Sequence, residues 1–148
     1  MKTLPEFIKK INREKYNLKL TDLDIEKELN NRKIPITSWG RLNLPENKKE
    51  THKFTDDLHA AKIIKEIVST KISDKAAAII WTNANIADIS CNIDFIKDFS
   101  IEITIEDWDF WIIGENWIIE KYHEGEVVFS KIKLFNMLIK DDSAPLHR

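Results

Sequence analysis

The sequence has little of several residue types, and each shortage excludes a class of protein. It contains one cysteine, Cys91, and three glycines among 148 residues. A single cysteine excludes an intrachain disulfide framework and a multi-cysteine zinc site. So few glycines exclude a collagen-like repeat and a glycine-lined phosphate loop. No apolar stretch approaches the roughly 18 residues of a membrane-spanning helix, and the N-terminus lacks the apolar core of a secretory signal.

What remains is the composition of one folded domain. The chain has a mass of 17.4 kDa and is 43% apolar and 32% charged. A chain of this length buries roughly two-thirds of the surface of its unfolded form. We therefore expect a single domain over residues 1–148. Without a signal sequence or a pair of cysteines, we expect a cytoplasmic protein that does not bind membranes.

The net charge of −2 hides an uneven distribution along the chain. Residues 1–89 carry 17 Lys and Arg against 13 Asp and Glu, whereas residues 90–130 carry 10 acids against two lysines. Three of the five tryptophans also lie in this acidic stretch. Such separation can steer a basic partner to one side of a protein. The alternative is that a solvated face of a sheet simply happens to be acidic.

The first half, residues 1–72, indicates helices and loops. We predict a short helix capped by Thr3, a second helix that ends before Pro35, and a long loop over residues 35–53. The clearest helix spans about 56–70 with Thr55 as its cap. Helical spacing assigns its buried stripe to Leu58, Ala61, Ile64, Ile67 and Val68.

The second half changes to the alternating pattern of strands. Residues 76–82 form a continuous apolar run that is typical of a central strand, and residues 89–95 and 99–106 alternate with a period of two. Keeping apolar residues on one face pairs them as a hairpin, Phe95 with Phe99. The same argument pairs Ile113 with Trp117 and Tyr122 with Glu126, with Gly125 in the left-handed position of the second loop.

These elements predict an α+β fold. It comprises an antiparallel β-meander of five to six strands in residues 76–132, N-terminal helices packed on one face, and a short C-terminal helix at about 133–140. Residues 109–122 are apolar on both faces. Either these strands are buried on both sides, or one side is an exposed aromatic patch rimmed by carboxylates.

We find no pattern that predicts catalysis. His52 and His59 do not have the spacing of two metal ligands on one helical turn, and Cys91 is predicted to face inward. Lysines are interleaved with acids, which argues against direct binding of nucleic acid. We therefore expect no enzyme, no cofactor and no bound metal.

A binding surface for a basic protein is the function that the residues favour, because aromatic side chains supply contact area and carboxylates supply association rate and specificity. The predicted contact residues lie in the acidic stretch. They are Asp94, Glu102, Glu106, Asp107, Asp109, Glu115, Glu120, Tyr122 and Glu124.

Residues 107–126, with the run Asp-Trp-Asp-Phe-Trp-Ile-Ile-Gly-Glu-Asn-Trp, resemble the C-terminal β-meander of bacterial immunity proteins. These are the immunity proteins of contact-dependent growth inhibition and related polymorphic toxin systems. The resemblance implies a protein that binds a cognate toxin domain, often a basic nuclease, and occludes its active site or substrate groove. It assigns toxin binding to the acidic positions named above.

Two alternatives stay open at this stage. Asp107, Asp109 and His123 could serve a small metal-dependent hydrolase if the chain folds them together. The protein could also be an adaptor that forms homodimers through an edge strand. The sequence does not determine its oligomeric state.

Overall fold

A computed structural model describes residues 2–37 and 41–131, and it confirms the α+β class. Seven antiparallel strands form one sheet, and helices pack on both of its faces. The strands are β1 (Lys19–Thr21), β2 (Glu50–Lys53), β3 (Ala76–Trp81), β4 (Asp88–Asn92), β5 (Phe110–Ile113), β6 (Trp117–Tyr122) and β7 (Glu126–Lys131). The helices are α1 (Ile25–Asn31), α2 (Asp57–Lys71), α3 (Ile93–Asp98) and α4 (Ser100–Ile105), with 3-10 turns at Glu6–Lys10 and Glu46–Lys48.

The order of the strands is β1-β4-β3-β5-β6-β7-β2. The run from residue 76 forms an interior strand, as predicted. Both edge strands come from the first half of the chain, where no strand was predicted. Strand β2 falls in the expected loop over 35–53. Its sequence, Glu-Thr-His-Lys, carries no apolar signal because the strand lies at a half-exposed edge.

The inner strands are apolar on both sides because both faces of the sheet are covered. On one face, Ile79, Ile112 and Ile119 pack among residues of α2, α3 and α4. On the other face, Ile80, Trp111 and Ile118 pack beneath α1 and residues 34–37 and 41–44. The prediction that all the N-terminal helices share one face is therefore wrong for α1. Of the two alternatives for residues 109–122, the structure shows strands buried on both sides.

Helix α2 agrees with the predicted bounds to within a residue. Its cap is Asp56, whose carboxylate accepts a hydrogen bond from the His59 backbone N–H at 2.8 Å, rather than Thr55. Ala60, Ala61, Ile64, Ile67 and Val68 are buried. Leu58 is exposed, contrary to the prediction, as are its neighbours Asp57 and His59 in the first turn of the helix. The first predicted helix is the 3-10 turn at Glu6–Lys10, which follows Pro5 instead of a Thr3 cap.

The largest error concerns residues 93–105, where the predicted Phe95–Phe99 hairpin is replaced by α3 and α4. The Asn92 side chain accepts a hydrogen bond from the Phe95 N–H at 3.1 Å, which caps α3. Phe95 and Ile103 are buried, whereas Ile101 and Ile105 project into solvent. Isoleucine favours strands only weakly, so packing against α2 overrides its preference here.

The two predicted hairpins of the last strands differ in outcome. Tyr122 pairs with Glu126 as predicted, and Gly125 has a φ of +105°. Ile113, however, pairs with Ile118 and not with Trp117. The Gly114 N–H donates to the Trp117 carbonyl at 3.0 Å, which shortens the loop, and the Trp117 indole fills the space that a Cβ on residue 114 would need. Trp117 therefore shares a face with Ile112, and Trp111 and Ile113 lie on the other.

The predicted C-terminal helix at about 133–140 lies outside the described residues, as does residue 132 at the end of the predicted meander. Within residues 2–37 and 41–131, no helix has both the length and the apolar character required to cross a membrane.

Candidate functional site

One end of the sheet gathers four segments that are distant in sequence. They are residues 54–58 between β2 and α2, 82–84 after β3, 106–109 before β5, and 122–126 at the β6–β7 hairpin. Antiparallel pairing brings the end of β3, the start of β5 and this hairpin to the same end of the sheet. We call these four segments the acidic end, because seven carboxylates lie in them: Asp56, Asp57, Glu106, Asp107, Asp109, Glu124 and Glu126.

Asp107 fixes the loop that precedes β5. One carboxylate oxygen accepts hydrogen bonds from the Thr82 hydroxyl at 2.9 Å and the Asn83 N–H at 2.7 Å. The other accepts from the Trp108 N–H at 2.7 Å. The carboxylate of Asp107 therefore joins this loop to the end of β3.

Asp109 makes a second set of bonds in the same loop. Its carboxylate accepts from the His123 N–H at 2.7 Å and lies 3.0 Å from the His123 Nδ1. Its backbone carbonyl accepts from both the N–H and the hydroxyl of Thr82, each at 3.1 Å. The His123 ring packs against Tyr122 with centroids 4.5 Å apart. Asp109 thus connects the loop to the β6–β7 hairpin.

Lys121 supports the loop from within. Only 2% of its surface is exposed, and its ammonium donates to the Trp108 carbonyl at 2.7 Å. The same ammonium lies 3.3 Å from an Asp57 carboxylate oxygen at the start of α2. One of the two lysines of the acidic stretch is consequently withdrawn from the surface.

Glu120 lies in the interior, on the face covered by residues 34–37 and 41–44. It is 2% exposed and accepts hydrogen bonds from the Leu42 N–H at 2.9 Å, the Trp111 indole at 3.1 Å and Arg41 at 3.2 Å. Burial raises the pKa of this carboxyl above its ordinary value, and the hydrogen bonds and the Arg41 charge only partly oppose that effect. Its carboxylate is therefore enclosed by the fold and not presented to a partner.

Tyr122 is partly covered by the same arginine. The Arg41 guanidinium lies 3.7 Å from the centre of the Tyr122 ring and also pairs with Glu126 at 3.1 Å. This stacked arginine neutralises part of the charge around Tyr122 and Glu126.

Six of the predicted contact acids form no ion pair with any cation that the structure describes: Asp94, Glu102, Glu106, Asp107, Glu115 and Glu124. Glu106 and Glu124 belong to the acidic end, and Glu102 lies one helical turn before Glu106. Burial raises the pKa of Glu106, and repulsion from Asp107 and Glu6 adds to the effect. Asp94 lies in the first turn of α3, and Glu115 lies at the opposite end of the sheet.

Exposed apolar side chains adjoin these acids, and the sequence did not predict them. Five large apolar residues of the described chain are exposed, and four of them lie on α2, on α4 or in the loop after it: Leu58, Ile101, Ile105 and Trp108. Leu58 neighbours Asp57, which shares the Lys121 ammonium with the Trp108 carbonyl. Asn92 at a helix N-cap position, followed by Asp94 in the first turn, is the signal in the sequence that could have indicated the helix α3.

The alternative of a metal-dependent hydrolase depends on whether Asp107, Asp109 and His123 come together. In residues 2–37 and 41–131, no group of three or more His, Cys, Asp or Glu side chains is arranged to hold a metal ion. Asp109 and His123 are together, but the Asp107 carboxylate turns toward Thr82 and Asn83. Burial raises the pKa of the Cys91 thiol to about 12, so it stays protonated at neutral pH.

Comparison with models of known protein families and with curated proteins gave no match. The function is therefore inferred from the geometry of the acidic end and its surroundings.

Proposed function

We propose that this protein is an immunity protein that binds and neutralises a basic toxin domain, with α4 and the acidic end as its contact surface. The observation that carries the proposal is the placement of unpaired carboxylates beside exposed apolar residues: Glu102, Glu106 and Glu124 with Ile101, Ile105 and Trp108. The resemblance of residues 107–126 to immunity proteins of contact-dependent growth inhibition agrees with it.

Unpaired charge on a surface acts at a distance. Charges interact over a screening length of about 8 Å at physiological ionic strength, and a surface of one sign accelerates association with an oppositely charged partner by roughly 10- to 1,000-fold. Lys121 is buried and therefore does not cancel the field at the surface, whereas Lys10 and Lys15 line a groove with Glu102 and weaken the field there. A strongly basic partner is the class that such a field selects.

Apolar contact area supplies the second requirement of a stable complex. Protein interfaces combine a desolvated centre, enriched in aromatic residues, with a polar rim. At this surface, Trp108 and Ile105 supply the apolar centre, and Glu106 and Glu124 supply the polar rim. Leu58 extends the apolar area onto α2.

The kind of toxin follows from the charge. An enzyme that acts on nucleic acid needs a cationic groove to neutralise phosphates. An acidic surface with a protruding aromatic residue is complementary to such a groove. We therefore propose a nuclease-type toxin whose substrate groove is occluded in the cytoplasm, by a protein that has no catalytic activity of its own.

The test uses the toxin domain encoded by the gene next to that of this protein, co-expressed and purified with the full chain. We expect a complex that abolishes the toxin's activity. Replacing Glu102, Glu106 and Glu124 together by Lys should slow association by about tenfold or more at low salt, because the steering field reverses. Circular dichroism establishes that the variant remains folded.

A matched control changes the charge equally at the other end of the sheet. Glu46→Lys, Asp74→Lys and Glu115→Lys alter the net charge by the same amount, away from the acidic end. We expect the control to lower the association rate by less than about threefold. Equal rates for the two triple variants, or no complex with the wild type, would overturn the proposal.

A further inference from the structure

We infer that Trp108 is the anchor of this surface: a preorganised indole that enters an apolar pocket on the basic partner, with cationic side chains at the pocket's edge. This inference rests on the proposed function and identifies the residue that determines the lifetime of the complex.

The first observation is exposure. Trp108 is 75% exposed, whereas the three other tryptophans that the structure describes, Trp81, Trp111 and Trp117, are 8% exposed or less. Leaving a large aromatic ring in water forgoes the stabilisation that its burial would provide. Its neighbour in space, His123, lies 6.1 Å away between ring centroids and leaves the indole uncovered.

The second observation is that the backbone around this exposed ring is fixed. The Trp108 N–H donates to Asp107, and the Trp108 carbonyl accepts from the buried Lys121, both at 2.7 Å. Thr82 holds the residues on either side, through the Asp107 carboxylate and the Asp109 carbonyl. Ordering a mobile loop on binding opposes association, so a loop that is already ordered binds more tightly.

The third observation gives the chemistry of the pocket. Glu106 precedes the loop that carries Trp108, and Glu124 follows His123, whose ring lies 6.1 Å from the indole between centroids. Lysine and arginine pair with these acids, and both also bind the face of an indole. The complementary site is an apolar pocket bordered by Arg or Lys. Tryptophan is among the residues most enriched at the energetic centres of interfaces.

The experiment measures association and dissociation rates between the full chain and the toxin domain encoded by the adjacent gene. Trp108→Ala should accelerate dissociation by about 30-fold or more, and Trp108→Phe by less, because part of the ring remains. The association rate and its salt dependence should change by less than about twofold, since no charge is altered. Leu20→Ala is the matched control, because Leu20 is also exposed but lies on edge strand β1.

A second measurement needs no partner. The heteronuclear NOE of the backbone amides of residues 107–109 in the free protein should equal that of β5 and β6. In Thr82→Val, which removes the hydroxyl donor, the NOE of these amides should fall.

Each outcome has a distinct consequence. If the wild type binds and Trp108→Ala dissociates as slowly as the wild type, Trp108 is not the anchor, and the proposed function stands. If the wild type binds no toxin domain, both are wrong. Low NOE values in the free wild type would overturn the preorganised loop whatever the partner does.

Discussion

Glu120 and Glu124 are four residues apart, yet they belong to two regions with opposite roles. Glu120 lies beneath residues 41–44 and accepts hydrogen bonds from three residues, whereas Glu124 lies exposed at the tip of a hairpin with no ion pair among the described residues. Both counted equally in the acidic charge of residues 90–130. The difference shows that a charge count measures the potential for binding, and that the fold decides which acids stabilise the protein and which remain available.

The largest effect that this comparison predicts is on stability. Glu120→Leu should lower the free energy of unfolding by about 3–5 kcal/mol, because it leaves Arg41 without its buried partner and removes the acceptor of the Leu42 N–H and the Trp111 indole. Urea denaturation measures the change. Glu124→Leu is the matched control and should alter stability by less than about 0.5 kcal/mol. Similar losses in the two variants would contradict the assignment of Glu120 to the interior.

Lys121 connects the interior to the acidic end, so its replacement should have an intermediate effect. Lys121→Met keeps the apolar length of the side chain but leaves the Trp108 carbonyl and Asp57 without their donor. We expect a loss of about 1–3 kcal/mol and faster hydrogen exchange of the amides of residues 107–109. Unchanged exchange would show that Lys121 does not hold the loop. Lys97→Met, elsewhere in the acidic stretch, provides the control.

The pH dependence of stability separates the same two regions. Because burial raises the pKa of Glu120 above its ordinary value of 4.5, the folded state holds this proton more tightly than the unfolded state does. Its contribution to stability is therefore greatest below pH 4.5, falls as the pH rises through the window between the ordinary and the raised pKa, and is constant above it. The stability of the wild type relative to Glu120→Gln should decline over that window. A flat difference would indicate that the carboxyl is not desolvated.

The smallest expected effect on stability belongs to the unpaired acids. Lysine at Glu102, Glu106 and Glu124 should each alter the free energy of unfolding by less than about 0.5 kcal/mol, because no described ion pair is lost. Thermal denaturation of the three single variants measures this. A loss above about 2 kcal/mol in any of them would show that the acid has a structural role.

Patterns that depend on near neighbours were predictable from the sequence. The central strand β3, helix α2 and the Tyr122–Glu126 pairing follow from an apolar run, from helical spacing and from a glycine in a turn. Residues 93–105 were not predictable in this way, because positions four apart lie on one face of either a helix or a strand. Ile89, Ile93, Ile101 and Ile105 satisfy both periods, and packing against α2 decides between them.

The acidic charge of the candidate site could be predicted from the sequence, but the burial of its individual side chains could not. The acidic stretch and its tryptophans are visible in the sequence, but the burial of Glu120 depends on Leu42, 78 residues away. The Ile113–Ile118 register, by contrast, depends on a local contact, the packing of the Trp117 indole over Gly114. Long-range packing of the first kind separates the acids that face a partner from those that do not.

The most direct test is the dependence of the association rate on ionic strength, measured between the full chain and the toxin domain encoded beside its gene. For the wild type, the rate should fall steeply as salt rises, since the unpaired carboxylates steer the encounter. For the variant with lysine at residues 102, 106 and 124, the slope should flatten or reverse, while the triple control at residues 46, 74 and 115 keeps most of the wild-type slope. A wild-type rate that is insensitive to salt would contradict the account.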